Sequence, residues 1–239
     1  MPSQRWGGEK ISISGREAHH LIHVLRLTPG MALTCFDGAG NEAGALVKRI
    51  GRDEILLELK DQRVVPPPAF PVTLGVAVPG HGKLDEIVNQ AAQLGAAKII
   101  PLLTSRTLLK KMPAAQSQRK KNRLEQIIVE AGKQSGVSRL PVLDPFTPWA
   151  DLLSSFKDYG LVLIAAVEGP HESLTAVLSK KSPCSVLLLI GPEGDFAPGE
   201  VQQALKAGAH RISLGPTVLR CETAVVSALS VVSYLLSSS

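Results

Sequence analysis

Pro66, Pro67 and Pro68 stand in a row within VVPPPAFP, residues 64–71. A proline has no amide hydrogen and a fixed φ, so three together continue neither a β-ladder nor a helix. The run is a semi-rigid connector, and it separates two differently patterned parts, residues 1–67 and 68–239. In the first, strand-like runs dominate residues 10–65. MALTCFDGAGNEAGALVKRI holds two β candidates around Asp37-Gly38-Ala39-Gly40-Asn41, a composition that favours a hairpin. EILLELK, residues 54–60, adds a strand, and REAHHLIHVLRLTPG, residues 16–30, predicts one short helix ended by Pro29-Gly30. Short strands with one helix point to a small barrel or curled sheet.

Beyond the prolines the period changes. VTLGVAV, residues 72–78, reads as a buried strand, after which Leu84, Ile87, Val88, Ala91 and Leu94 recur at helical spacing and Gly95 marks the stop. Further strands are predicted over 97–103, 161–167, 185–190 and 211–214, and further helices around Leu124, Ile127, Ile128 and Ala131, over 198–207, and over 222–236. Only residues 237–239 read as a disordered tail. Short, nearly unalternated strands interleaved with helices mean a mainly parallel sheet covered on both faces.

The formal net charge is only +5, yet eight cations fall in one stretch without Asp or Glu: Lys98, Arg106, Lys110, Lys111, Arg119, Lys120, Lys121 and Arg123. Four of them precede an apolar helical stripe. Helix starts prefer acids, so a phosphate-rich partner explains the departure, against the plainer reading of a solvated helix face. The three cysteines, Cys35, Cys184 and Cys221, fit neither a disulfide framework nor a CxxC metal site, and a reducing compartment is the simpler expectation. The amino terminus lacks the apolar segment of a signal peptide, and no apolar run reaches about 18 residues. The expectation is a soluble cytoplasmic protein without a membrane or metal partner.

The chemistry gathers at two turns. VLLLI stops abruptly at Gly191-Pro192-Glu193-Gly194-Asp195. A shaped glycine and proline turn at the carboxyl end of a buried strand is where open α/β sheets place ligands, although a plain strand-to-helix connection is an equal reading at this point. The GxxxxGK[ST] pattern is missing, and Glu193 and Asp195 repel phosphate. ISLGPTVLRCETAVVSALSVVSYLL, from Ile212, repeats the logic: a strand, Gly215-Pro216, a turn, a helix. Two such loops on neighbouring strands would make one pocket. Glu222 or Thr223 falls near the helix start, where unpaired amides point outward. With Val218 and Leu219 apolar, the pocket suits a ligand with a flat apolar part and polar edges.

GPEGD from Gly191 and LGPTVLRCETA from Leu214 resemble the signature loops of the SPOUT superfamily of knotted methyltransferases. More closely, the chain is similar to the RsmE family, the 16S ribosomal RNA uridine-N3 methyltransferases. HVLRLTPG from His23, FDGAGN from Phe36, HGKLDEIVNQAAQLG from His81, LLTSRT from Leu102 and EAGKQSGVSRLP from Glu130 fall in the family's order, so the likeness covers nearly the full length. It implies an α/β fold: a smaller PUA-like β-barrel RNA-binding domain over 1–67, then a SPOUT trefoil-knot methyltransferase domain over 68–239. It also implies S-adenosyl-L-methionine as cofactor, a homodimer, and the assembled small ribosomal subunit with its 16S rRNA as substrate.

Carried onto this chain, the resemblance makes Gly191, Pro192, Glu193 and Gly194, with Leu189 just before them, one wall of the cofactor pocket. Leu214, Gly215, Val218, Leu219 and Thr223 make the other. Three positions depart from the commonest family pattern: Asp195 stands where glycine is usual, Thr217 where arginine is usual, and Cys221 where threonine is usual. Thr217 removes a cationic fork that would hold RNA or a carboxylate, and Cys221 is given no nucleophilic role.

Arg220 is the candidate donor to the uridine oxygens, whose negative charge grows as the N3 proton leaves, or else a phosphate contact. Glu222 orients Arg220 or caps the helix. Arg26, Lys83, Arg106, Lys120, Lys121 and Arg123 are the candidate RNA contacts, and His81 lies beside Lys83 in the same role. His19, His20 and His23 are packing or RNA-surface groups. No general base is identifiable, since Glu193 is as well suited to binding backbone donors. The target base would have to be extrahelical. Two alternatives remain: a SPOUT enzyme with another target nucleotide, and a non-catalytic ribosome-binding or assembly protein.

Overall fold

The computed structural model describes residues 6, 8–80, 82–107, 113–181 and 183–237. Contacts divide the chain into two compact units, Met1–Pro67 and Pro68–Ser239.

The first unit is a four-stranded antiparallel sheet of order β1-β4-β3-β2, built from β1 (Lys10–Ser14), β2 (Ala32–Phe36), β3 (Asn41–Ile50) and β4 (Glu54–Val64). The β2–β3 hairpin falls where Gly and Asn predicted it. Asp37 closes its turn by accepting from the amides of Ala39 at 2.7 Å and Asn41 at 3.0 Å, the side-chain bond that makes Asp a turn residue. Register shifts between Glu42 and Gly44 and between Val47 and Arg49 bend the sheet, over a core that includes Ile11, Ile13, Val47, Ile55 and Leu57.

Helix α1 (Gly15–His19) widens into a π-helical turn over His20–Val24. It ends at Leu25, not at Pro29-Gly30. Arg26 takes a left-handed φ of 52°, and Leu27 N donates to Leu21 O, six residues back, at 3.0 Å, which closes the carboxyl end of the π-helical turn much as a left-handed residue closes an α-helix. Pro29 is therefore not needed as a stop.

In the second unit the strands form one parallel sheet of order β11-β9-β10-β5-β6-β7, with β8 also paired to β6. The elements are β5 (Val72–Ala77), α2 (Leu84–Gln93), β6 (Lys98–Leu103), α3 (Ala114–Ser135), β7 (Val142–Leu143), β8 (Thr147–Pro148), α4 (Trp149–Ser154), β9 (Leu161–Ala165), α5 (Leu174–Lys181), β10 (Val186–Ile190), α6 (Pro198–Lys206), β11 (His210–Ile212) and α7 (Cys221–Ser237). Every residue of β5 and β10 is buried, as expected when helices cover both faces.

Val72, Leu74, Val76, Leu188 and Ile190 face α2, α3 and α7. Leu187, Leu189, Val162 and Ile164 face α4 through Trp149 and α6 through Val201 and Ala204, with Phe196 of the preceding loop in the same cluster. Gly75 makes the second face fit, because a Cβ there would lie 2.7 Å from Leu189 Cδ2. Helix α7 presents Val225, Ala228, Leu229 and Val232, all 0 % exposed, at the spacing of one helical face. It packs on α2, α5, β5 and β10, so the chain leaves β11 at the sheet's edge and returns over its middle. Ser237 closes α7, while Ser238 and Ser239 lie outside the described residues. Among the described residues no helix is long and apolar enough to cross a membrane.

Candidate active site

Because the strands are parallel, the loops after β5, β6, β9, β10 and β11 lie at one end of the sheet, where a ligand is expected. The turn after β10 is a tight one. Gly194 N and Asp195 N both donate to Pro192 O at 2.9 Å. A Cβ on Gly191 would lie 2.9 Å from Phe196 N and 3.0 Å from Asp195 Oδ1, so only glycine fits. Asp195 has φ 65°, a backbone that glycine, Asn and Asp tolerate best.

Acidic side chains tie this turn to the loops around it. Both Glu193 carboxylate oxygens accept from Gly80 N, at 3.1 Å each, which fills the backbone-binding role considered for Glu193. Asp195 Oδ2 accepts from Val167 N and Oδ1 from Phe196 N, at 2.7 Å each. Glu200, 8 % exposed, accepts from Ser105 N at 2.8 Å and Ala197 N at 2.9 Å. Arg106 donates to Gly194 O. Sequence reasoning missed Glu200 and the Val167 amide. Pro198 and Glu200 together form a helix-start signature that would have found the cap on Ala197, but nothing in the sequence points to Ser105 or Val167.

The second loop, 213–220, is looser. Ser213 Oγ donates to Gly215 O at 3.2 Å and accepts from Gly215 N at 3.3 Å. Among the described residues the amides of Thr217, Val218 and Leu219 have no partner within the chain. Val218 is 77 % exposed, while Leu214 and Leu219 lean on the core. Unpaired amides beside an exposed apolar side chain make a surface that a flat heterocycle with polar edges would complete.

The strands carrying the two loops are not neighbours, contrary to the expectation, because β9 lies between β10 and β11. The first turn and the start of α7 still meet, on the loop after β5: Gly80 N donates to Glu193 at 3.1 Å, Lys83 N donates to Gly80 O at 3.4 Å, and Lys83 Nζ lies 3.5 Å from Glu222 Oε1. The buried Cys221 thiol is pushed up to about 12 by burial and then by the charges of Glu193 and Glu222. A thiol so shifted forms no thiolate near neutral pH. Cys35, buried in the first unit, is pushed up to about 11, chiefly by its burial, whereas Cys184 is exposed. One thiol, Cys184, is therefore expected to react with a colorimetric disulfide reagent at pH 8 in the native protein, and three after denaturation. A second equivalent in the native protein would contradict the burial of the other two.

Glu222 pairs with Lys83 at 3.5 Å; its own backbone amide first, and then that ammonium, hold its carboxyl below the usual carboxylate range. No bond joins it to Arg220, so the structure does not show the orienting role, and Arg220 contributes only charge. Arg220 is exposed, and its carbonyl accepts from Ala224 N at 2.8 Å in the first turn of α7. Leu189 needs correction: its side chain is 0 % exposed and packed in the core, so it reaches no ligand. Thr223 is exposed near the start of α7.

Several candidate RNA contacts have partners inside the chain. Lys83 meets Glu86 at 2.8 Å, Lys121 meets Glu125 at 3.7 Å, Arg123 meets Asp85, and Lys120 Nζ lies 5.9 Å from the Phe146 ring centroid. Exposed pairs of this kind are weak in water and are screened by salt, so they do not withhold these cations from phosphate. Arg26 is exposed in the first unit. His81, Lys110 and Lys111 lie outside the described residues. Among the described residues no cluster of His, Cys, Asp or Glu is arranged to hold a metal ion.

Comparisons with known proteins agree with this geometry. Residues 66–233 match the model of an RNA methyltransferase domain, and residues 13–60 that of an RNA methyltransferase PUA domain. A Synechocystis protein named ribosomal RNA small subunit methyltransferase E is 32 % identical over 234 residues, covering 95 % of this chain and 74 % of the relative. A Bacillus subtilis protein of the same name is 29 % identical over 232 residues, covering 93 % and 89 %. A methyltransferase from Legionella pneumophila, solved with bound S-adenosylmethionine, is similar with a TM-score of 0.87 at 28 % identity, covering 98 % of this chain and 95 % of that one. Two domain models in the right order, a full-length likeness, and a glycine turn set against a loop of unpaired amides lead to one conclusion: the chain belongs to the ribosomal RNA small subunit methyltransferase E family.

Proposed function

We propose that this protein methylates 16S rRNA of the small ribosomal subunit, using S-adenosylmethionine, at N3 of a uridine, and that it works as a cytoplasmic homodimer. The observation that carries the reading is the loop after β11, with free amides at Thr217, Val218 and Leu219 and an exposed Val218. These groups fit an adenine, which needs edge donors and apolar cover. The carboxylates of Glu193 and Glu222, linked through Gly80 and Lys83, fit the positive charge of a sulfonium and an amino group. The names of the curated relatives and the bound cofactor of the Legionella structure support the same reading.

When bound, the cofactor supplies a methyl group on a positively charged sulfur. The chain's own residues do the rest by position and charge. Glu193 holds the turn on Gly80, and Glu222 holds Lys83 at the start of α7. Arg220, exposed and without a side-chain bond partner among the described residues, donates to the uridine oxygens as the N3 proton leaves. Glu222, kept ionised by its contacts, is a weak proton acceptor, so it serves the site by position rather than as base. The cations of α3 bind RNA phosphate. Substituting Lys120, Lys121 and Arg123 together by alanine should weaken subunit binding and flatten the plot of log affinity against log salt by about two to three. An unchanged slope would remove α3 from the interface.

The direct test is transfer of labelled methyl from S-adenosylmethionine to purified small subunits from cells lacking this gene, followed by mapping of the product. N3-methyluridine in 16S rRNA is the expected result. Label on another nucleotide would overturn the target. No label, with cofactor bound and subunits competent toward a known enzyme, would leave a binding or assembly protein.

A further inference from the structure

The loop after β9 lies between the two cofactor loops in sheet order, and it has one side-chain tie to the turn after β10. Val167, 53 % exposed, leaves the strand without cover, and its amide is held by Asp195 Oδ2 at 2.7 Å. The other Asp195 oxygen stays at home, accepting from Phe196 N at 2.7 Å. A residue in left-handed backbone is ordinarily best served by glycine. Here a carboxylate is placed there instead, and both of its oxygens are used, one to close its own turn and one to reach a different loop.

We propose that Asp195 is a positioning residue that locks the β9 loop to the glycine turn, so that the cofactor meets a site already assembled. The inference rests on the S-adenosylmethionine reading above. Without the tie, ordering of the β9 loop must accompany binding and is subtracted from affinity. With it, that ordering is complete in the free protein.

Asp195→Asn keeps a single acceptor oxygen, enough for Phe196 N or for Val167 N but not for both. Asp195→Gly removes both bonds while suiting the backbone, so folding is preserved. In ligand-free protein, hydrogen exchange at the Val167 amide is expected to speed up about tenfold in Asp195→Gly, and in Asp195→Asn at whichever of the two amides the oxygen gives up. Calorimetry is expected to show S-adenosylmethionine bound about tenfold more weakly by Asp195→Gly, with the kinetic loss larger in KM for the cofactor than in kcat. Wild-type protection of Val167 in Asp195→Gly would overturn the lock. Faster exchange with cofactor affinity within twofold of wild type would overturn its role in binding. Failure of the wild-type protein to bind S-adenosylmethionine would instead sink the cofactor reading itself.

Discussion

Gly191→Ala is expected to lower S-adenosylmethionine affinity by about a hundredfold while leaving a folded protein. The added methyl would sit 2.9 Å from Phe196 N and 3.0 Å from Asp195 Oδ1, and neither neighbour is free to retreat. Phe196 is 2 % exposed and packs on Trp149 with ring centroids 5.2 Å apart. Asp195 is bonded through both oxygens. Overpacking of this kind costs about 1–3 kcal/mol, and the turn must open to relieve it, at the place where the cofactor wall is formed. For a domain of this size each kcal/mol lowers Tm by only about 2–4 °C. Calorimetric titration beside a thermal melt therefore separates loss of the site from loss of the fold. Wild-type affinity would mean that the turn after β10 does not line the cofactor pocket.

Arg220→Ala should reduce single-turnover methyl transfer by about a hundred- to a thousandfold, the usual consequence of losing one donor aimed at developing negative charge. Stability should hardly change, since the guanidinium is exposed and, among the described residues, its one side-chain tie is electrostatic, to Glu222. Arg220→Lys should recover little of the rate, because an ammonium does not reproduce the planar fork. Rates on small subunits at saturating cofactor, with subunit affinity measured in parallel, decide between the two candidate roles. Weaker affinity at an unchanged rate would make Arg220 a phosphate contact. If rate and affinity both stay near wild type, Arg220 has no part in the reaction.

Much of this architecture was legible in the residues. The short unalternated runs VTLGV and VLLLI read as strands buried on both faces, and the stripe from Leu84 to Leu94 as a helix with one inward side. Less legible were β7 and β8, each two residues long, and the short helices α4 and α5, because so few residues carry no readable period. The helix end at Arg26 escaped for another reason: a left-handed arginine took the place that glycine usually marks.

At the site, the glycine turn and the loop after β11 were visible as motifs. The bonds that assemble them were not. Gly80, Ser105 and Val167 contribute backbone amides, which every residue has, so nothing in their identity announces the contact. Leu189 shows the opposite failure, a residue close to the motif in sequence whose side chain points into the core.

The place of helix α7 at the end of the chain also sets when the second unit can close. Its inward residues fill the middle of the sheet, between strands synthesised long before it. The first unit, whose last strand ends at Val64, has all its strands early, and domains of that kind fold as they are made. The second waits: from the end of β10 at Ile190 to Leu236 on α7, translation at 5–20 residues per second takes roughly 2–10 s, during which the part of the sheet that α7 will cover, beside α2, has no lid. A nascent chain of this design is most exposed to misassociation just before its last helix arrives.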